Sequence, residues 1–303
     1  MNIRHAGRIF LIGVAMGVAN IIPGVSGGTI AVVFGIYEQL MEALGNILTD
    51  KAKRWQYLKF LIILFSGALI SIISLARLLS WSFENYPLPT VYFFLGLIIG
   101  SIPVVIKSHP DMRPEFKRII SFLAGLIAVI ILALMQHKSG GEASGVEILS
   151  LGVSDYIYFI FSGTIAASAM IIPGVSGSFI LILLGVYWIV LDALSGLTST
   201  LLDSGFTPEM IEKISILGFL LIGIIIGIFI CSKIMSWALK NYPSITMYLI
   251  LGLIVGSIYQ IFPGFTTDFQ GLLAVITLVI GTIISLKFGE EKRTEDPEEI
   301  RSE

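Results

Sequence analysis

The chain has 303 residues, of which 55% are hydrophobic and only 13% are charged. Soluble domains carry about 25% charged residues, so this composition excludes a pair of soluble domains and indicates an integral membrane protein. The net charge of -2 gives no support for nucleic-acid binding, and the single cysteine, Cys231, excludes a disulfide framework. Because the three histidines lack ligand-like spacing, we expect no metal site and no cofactor.

The first half of the chain is predicted to begin with an interrupted apolar hairpin over residues 8–48. The segment IIPGVSGGT, residues 21–29, lies in the middle of its apolar run. Proline removes a helix hydrogen-bond donor and glycine costs about 1 kcal/mol inside a helix. We therefore expect the helix to stop there and restart, with Ser26 and Thr29 placed to cap the new start. Three uninterrupted spans are predicted to follow, near residues 60–80, 88–106 and 119–136.

The second half repeats this pattern. IIPGVSG occurs at 21–27 and again at 171–177, and LGLIIGSI at 95–102 is matched by LGLIVGSI at 251–258. Shared apolar composition does not place proline and glycine in the same order twice, so we interpret the match as an internal duplication. The second copy has an interrupted hairpin over 156–197 and spans near 214–235, 244–261 and 271–286.

The connectivity predicts that the two repeats are inverted. Each hairpin is expected to return to the membrane face at which it began, and three spans follow it, so an odd number of crossings separates the copies. The predicted fold is an all-α polytopic membrane protein with two inverted repeats, each made of a broken, re-entrant hairpin and three transmembrane helices. The units are a first repeat (1–137), an external linker (138–152), a second repeat (153–288) and a charged cytoplasmic tail (289–303) that we expect to be disordered.

The positions of the basic residues predict the orientation. With a cytoplasmic N-terminus, the external segments hold only Lys138 and Lys213, and most other basic residues fall in cytoplasmic segments. Cytoplasmic loops of membrane proteins are enriched in Lys and Arg. We therefore expect both termini to be cytoplasmic.

The broken hairpins carry the candidate binding site. A helix that begins inside the membrane presents free amides and a partial positive charge, which favour an anion and especially a phosphate. Close helix packing by small residues would explain one such loop, but two near-identical loops with hydroxyls in register favour binding. The candidate substrate-binding residues are Pro23, Gly24, Ser26, Gly27, Gly28 and Thr29, with Pro173, Gly174, Ser176, Gly177 and Ser178.

Arg77 and Lys233 occupy the same place in the two repeats, each four residues before a tryptophan. A cation near a span end commonly reaches the lipid headgroups. The inversion also puts one cation near each face, where it can receive a lipid phosphate, and we keep both interpretations. Glu38, Glu42 and Asp192 are candidates for proton coupling if they face the cavity, and ordinary interfacial residues if they do not.

The segments GVANIIPGVSGGTIAVVFGIYEQL and IIPGVSGSFILILLGVY resemble the bacterial polyprenyl-phosphate transporter family, formerly a domain of unknown function. The resemblance covers nearly the whole chain apart from the tail. It implies a flippase, not an enzyme, that returns undecaprenyl phosphate, the lipid carrier of cell-wall precursors, from the outer to the inner leaflet of the cytoplasmic membrane. It also implies that the paired motifs hold the phosphate, and relatives often have an acidic residue where Asn20 stands. The expected partners are this lipid and membrane lipids, with no nucleic acid, and a homo-oligomer is left open.

Two other functions are considered. PGVSG is similar to part of the PGxSRS signature of the undecaprenyl pyrophosphate phosphatases, but Gly27 and Gly177 stand where that signature has Arg. No Glu or Asp lies between Arg8 and Pro23 either, so phosphoryl transfer would lack the groups that neutralise charge or bind metal. A small-anion transporter would use the same loops, and no motif separates it from a lipid transporter.

Overall fold

The computed structural model describes residues 3–21, 26–108, 111–138, 152–194 and 208–299. Pro23, Gly24 and residues 139–151 of the predicted linker lie outside these ranges. All regular secondary structure within them is helical. The helices are α1 (Ile3–Ile21), α2 (Gly27–Val33), α3 (Tyr37–Asn46), α4 (Arg54–Asn85), α5 (Pro87–Ser108), α6 (Phe116–Lys138), α7 (Val153–Ile171), α8 (Gly177–Leu183), α9 (Tyr187–Leu194), α10 (Pro208–Asn241), α11 (Pro243–Ile261) and α12 (Phe269–Glu299).

In the described part of the chain, six helices are long and apolar enough to cross a bilayer: α4, α5, α6, α10, α11 and α12. Large apolar side chains on these helices are exposed, among them Leu69, Ile225 and Val275. Such a surface is stable only against hydrocarbon. The chain is therefore a multi-pass helical membrane protein, as the composition predicts.

The hairpins α1–α3 and α7–α9 contain the same turn. Each short helix, α2 or α8, has seven residues and is followed by a glycine with positive φ, 69° at Gly35 and 70° at Gly185. In both turns this glycine and the next residue donate their amides back to the short helix over 2.9 Å. This is the Schellman arrangement that ends a helix at glycine, and it recurs at equivalent positions of the two repeats.

Four helix pairs are held together by close backbone contact at glycines. In the pair α1 and α4, Gly13 faces Leu64 and Gly17 faces Ala68, so both helices advance by four residues in the same direction. Small residues allow such close approach inside membranes. The other pairs follow the same rule: α7 with α10 (Ile160 to Gly223, Thr164 to Gly227), α5 with α12 (Gly96 to Leu278, Gly100 to Thr282) and α6 with α11 (Phe122 to Gly252, Leu126 to Gly256).

The common direction of α1 and α4 determines where the first hairpin ends. Both helices start at the same face, so α2 and α3 must bring the chain back to the face at which α1 began. The same reasoning applies to α7 and α10. Each hairpin therefore ends on the side of the protein at which it began, and the pairs α5–α12 and α6–α11 join the two halves of the chain.

Residues 111–115, between α5 and α6, are fastened to the start of α11. The buried guanidinium of Arg118 donates to both carboxylate oxygens of Asp111, at 2.6 and 3.2 Å. Ser244 and Tyr248 of α11 donate to the carbonyls of Asp111 and Met112. The hydrogen bond from Arg118 holds the pKa of Asp111 below its usual range. The starts of α6 and α11 therefore lie at one face.

The C-terminal segment differs from its prediction. Helix α12 continues to Glu299, whereas disorder is predicted from residue 289 onward. The segment contains five Glu residues, which are good helix formers, and α12 continues through it beyond the apolar span of the helix, which ends at Lys287. The prediction of disorder is wrong for residues 289–299, and residues 300–303 lie outside the described ranges.

Candidate functional site

The start of α2 lies against the segment that follows α7 in the interior of the protein. The first loop is defined as residues 26–29, the described part of the first broken segment, and the second loop as residues 172–179. The backbone N–H of Gly174 donates to Thr29 Oγ1 over 2.9 Å, in a buried hydrogen bond between residues 145 positions apart. Gly28 packs on the carbonyl oxygen of Ile171, and a Cβ at Gly28 would lie 2.4 Å from that oxygen. The hydroxyl of Tyr37 donates to the same oxygen at 3.4 Å. The structure thus brings the two predicted binding loops together.

At the first loop, the start of α2 is capped by the protein's own side chains. Ser26 Oγ accepts a hydrogen bond from the Thr29 amide at 3.2 Å, and Asn20 Oδ1 accepts one from the Gly27 amide at 2.9 Å. The side chains of Ser26 and Thr29 are buried, with exposures of 3% and 1%. The capping role predicted for Ser26 is confirmed, whereas the one predicted for Thr29 is wrong, because Thr29 lies inside α2 and supplies the amide that Ser26 caps. However, two amides that are predicted to be free for an anion, those of Gly27 and Thr29, are bonded within the chain.

The second loop is arranged differently. Ser176 makes no side-chain cap to α8, and its hydroxyl lies 2.8 Å from that of Ser178, which is exposed. The difference has a sequence origin, because Ser178 and Phe179 stand where the first loop has Gly28 and Thr29. The second loop therefore presents a pair of hydroxyls at its surface, whereas the first loop is closed.

Pro173 and Gly174 form the turn of the second loop and are both buried. Gly174 has a φ of 81°, which side-chain-bearing residues rarely adopt. A Cβ on Gly174 would also lie 2.7 Å from the Leu253 carbonyl of α11, and one on Gly177 would lie 2.8 Å from the Ala166 carbonyl of α7. These residues let the loop lie directly against α7 and α11.

Lys233 is exposed on α10, and its backbone contacts the end of the first hairpin. A Cβ on Gly45 of α3 would lie 2.9 Å from the Lys233 Cα. Two residues before Lys233, the Cys231 thiol donates to the Ser168 carbonyl of α7 at 3.5 Å. Lys233 therefore lies near the place where α7 ends and the second loop begins. Arg77 belongs to α4, and its side chain lies outside the described part of the structure.

The three candidate coupling acids lie on the hairpins, and two of them contact polar groups at helix ends. Glu42 accepts a hydrogen bond from the Tyr57 hydroxyl at 2.8 Å. Asp192 lies 3.6 Å from the ammonium of Lys213. Glu38 is exposed in the first turn of α3. Contacts of this kind fasten α3 and α9 to their neighbours, and a coupling role for the three acids stays a prediction.

An apolar groove runs between α1, α5 and α12 and reaches α2. It consists of two adjoining cavities, of about 480 and 300 Å³, that share Val18, Phe93 and Phe94. The smaller cavity extends to Ile30 and Phe34 of α2. Three of the hydroxyls that line the larger cavity donate to backbone carbonyls, which leaves its wall mostly apolar; they belong to Ser82, Thr90 and Thr277.

Asn20 and Tyr37 contact the site, although neither is among the predicted binding residues. Tyr37 recurs as Tyr187 in the second repeat, and Asn20 immediately precedes the first loop. The recurrence of this tyrosine and the position of Asn20 are both visible in the sequence. What each side chain contacts depends on how the loops approach one another, which no local pattern states.

A family model described as VCA0040-like, undecaprenyl phosphate translocase-like, matches residues 16–285 of the chain. The chain belongs to this family. A polyprenyl-phosphate transporter of Staphylococcus aureus is 35% identical over 279 residues, which cover 91% of this chain and 94% of the relative. A polyprenyl-phosphate transporter of Vibrio cholerae is 35% identical over 265 residues, covering 84% of this chain and 77% of the relative. No solved structure matches the chain.

The match confirms the family inferred from the two IIPGVSG segments. The family is described by translocation and the two relatives by transport. This favours a transporter over the phosphatase that the PGVSG segment also suggested.

Proposed function

We propose that this protein transports undecaprenyl phosphate from the outer to the inner leaflet of the bacterial cytoplasmic membrane, so that the lipid is reused in cell-envelope synthesis. The family and the relatives named as polyprenyl-phosphate transporters support the substrate class. The observation that carries the proposal is the buried contact of Thr29 with Gly174, which unites two polar loops inside an otherwise apolar body. A phosphate inside a membrane needs such a polar site shielded from hydrocarbon.

The phosphate is proposed to bind where the loops meet, with the second loop as the open half of the site. Ser176 and Ser178 carry adjacent hydroxyls, and Ser178 is exposed. Each hydroxyl can donate to a phosphate oxygen, and hydrogen bonds to a charged acceptor are about twice as strong as neutral ones. Lys233 is proposed to act as a long-range counter-charge, because Cys231, two residues before it on α10, contacts Ser168 near the end of α7.

The isoprenoid tail is proposed to stay in hydrocarbon while the head occupies the loops. The groove lined by Val18, Phe93 and Phe94 supports this arrangement, because it is apolar along its length and ends at Ile30, next to Thr29. A lipid substrate then needs no closed pocket for its tail.

Transport is proposed to depend on two inverted repeats, residues 1–137 and 153–288, with both termini cytoplasmic. The re-entrant hairpins and the same-direction pairs α5–α12 and α6–α11 support the inversion, since each pair joins non-equivalent helices of the two halves. Movement of one repeat against the other would expose the shared loop region to each face in turn.

Headgroup specificity tests the proposal. Purified protein in nanodiscs should bind a polyprenyl phosphate at least about tenfold more tightly than the matching polyprenol or inorganic phosphate, because only the first satisfies both loops and groove. Equal competition by inorganic phosphate would indicate a small-anion carrier. Release of phosphate from a polyprenyl diphosphate would indicate a phosphatase. Either result would overturn the proposal.

The hydroxyl pair provides a residue-level test. Replacing Ser176 and Ser178 together by Ala should weaken binding of polyprenyl phosphate by about 100-fold or more, since each of the two hydrogen bonds to a charged group contributes about 1.5–3 kcal/mol. Ser74→Ala is the matched control, because Ser74 is an exposed hydroxyl that donates to its own helix at Ile70. Unchanged affinity in the double variant would place the phosphate elsewhere.

A further inference from the structure

The hydrogen bond between Thr29 and Gly174 has no counterpart on the other side of the internal duplication. By the alignment of the two IIPGVSG segments, the equivalent bond would join the amide of Gly24 to the side chain of residue 179. That residue is Phe179, which has no hydroxyl. This hydroxyl-to-amide bond can therefore form in one sense only, although the two segments are nearly identical in sequence.

Thr29 Oγ1 occupies the position of an acceptor for the second loop. It accepts the Gly174 N–H at 2.9 Å and lies 2.9 Å from Ser26 Oγ, which itself caps the residue-29 amide. A phosphate oxygen in the same region would compete for the same amide. Because a charged oxygen is the stronger acceptor, an arriving phosphate can replace the hydroxyl of Thr29.

We propose that Thr29 is a latch between the two repeats: it occupies the Gly174 amide in the empty protein and releases it to the phosphate of the substrate. This inference rests on the proposed function and assigns Thr29 a role that differs from direct binding. In the latched protein the first loop is closed and the second is open. Substrate binding separates Thr29 from Gly174 and frees the repeats to move.

The latch makes the two end conformations of the transport cycle unequal in stability. When the repeats exchange roles, Phe179 faces the first loop and offers no acceptor, so that state has no latch of the same kind. The empty protein therefore rests in the conformation with the bond between Thr29 and Gly174. Thr29 is a positioning residue, since it acts through the amide of Gly174.

Thr29→Val separates the latch from a direct binding role. Valine has nearly the shape of threonine, and Ser26 still caps the amide of residue 29, so the fold is retained. Without the competing hydroxyl, the apparent affinity for polyprenyl phosphate should increase about threefold to tenfold, because less of the protein is held in the latched state. Thr29→Ser, which keeps the hydroxyl, should bind like the wild type. Unchanged or weaker binding in Thr29→Val would overturn the latch.

Hydrogen exchange tests the latch without any substrate. In Thr29→Val the amide of Gly174 loses its acceptor, and a peptide covering residues 172–179 should exchange at least about tenfold faster than in the wild type or Thr29→Ser. Peptides from α5 and α12 should be unchanged. Thr29→Ala, which needs no additional space, should give the same result if the valine variant fails to fold. Equal exchange rates would overturn the latch, whereas a wild type that binds no polyprenyl phosphate would overturn the proposed function alone.

Discussion

Gly28 shows how tightly the first loop is packed against the second repeat. A Cβ at this position would lie 2.4 Å from the carbonyl oxygen of Ile171, so Gly28→Ala must push the loops apart. We expect it to destabilise the protein by about 1–3 kcal/mol, as overpacking does, and to lower the temperature of thermal unfolding in detergent. Gly7→Ala is the control, because nothing lies within 4 Å of a Cβ there. Equal unfolding temperatures for the two variants would contradict the contact.

Ser178, the equivalent of Gly28 in the second loop, carries a side chain without such a clash. The two loops therefore differ in the space around them as well as in their hydroxyls. The first repeat contributes the close packing at Gly28 and the Thr29 hydroxyl, which accepts a hydrogen bond. The second repeat contributes the hydroxyl pair of Ser176 and the exposed Ser178. The two copies of the motif therefore make different contacts.

The sequence predicts the local part of this site but not its closure. The cap formed by Ser26 depends on residues within one turn, so it follows from the order of Ser, Gly and Thr. The bond from Gly174 to Thr29 depends on the approach of two loops 145 residues apart. Neither hydrophobic periodicity nor helix propensity predicts how closely these loops approach. The burial that makes the first loop inaccessible is unpredictable for the same reason.

The glycine contacts between helices give a prediction for the pairs that join the two halves. Gly96 and Gly252 are equivalent in the duplication, and a Cβ on them would lie 2.1 and 2.0 Å from the carbonyl oxygens of Leu278 and Phe122. We expect Gly96→Ala and Gly252→Ala to lower the unfolding temperature by similar amounts, corresponding to about 1–3 kcal/mol each.

The matched control for this pair is Gly218→Ala in α10, where a Cβ would meet nothing within 4 Å. Alanine is a better helix former than glycine by about 1 kcal/mol, so this variant should be as stable as the wild type or slightly more stable. If Gly96→Ala behaves like the control while Gly252→Ala does not, the two contacts are not equivalent.

Hydrophobic length and the position of proline and glycine predict where the helices occur, because both act within a segment. The six long helices and the two broken hairpins are of this kind. Helix pairing is different, because it is decided by contacts between segments. The pairing of α5 with α12 and of α6 with α11 exchanges partners between the repeats, and apolar runs of similar composition contain no signal for it.

The duplicated architecture combines a symmetric scaffold with an asymmetric centre. The glycine contacts and the Schellman turns at Gly35 and Gly185 recur in both halves, so each half can hold its hairpin in the same way. Among the described residues, the contacts of the two loops differ. A transporter with this arrangement can move its repeats by equivalent motions while its two end states have different stabilities. The latch at Thr29 is the residue-level cause that we propose for that difference.

The arrangement of the helices also predicts which loops share a face. Ser244 at the start of α11 donates to the carbonyl of Asp111, so the segment before α6 and the start of α11 lie together. Helix α11 then crosses, which places residues 262–268 at the opposite face. Since Lys and Arg accumulate in cytoplasmic segments, we expect the first of these regions to be cytoplasmic and the second to be external.

In a Cys231→Ala background, a membrane-impermeant maleimide should label Thr267→Cys in intact cells and should label Lys117→Cys only after the membrane is permeabilised. Both positions are exposed in the structure, so each is able to react once the reagent reaches it. Labelling of both cysteines in intact cells would contradict the arrangement, and the reverse pattern would invert the orientation of the whole chain.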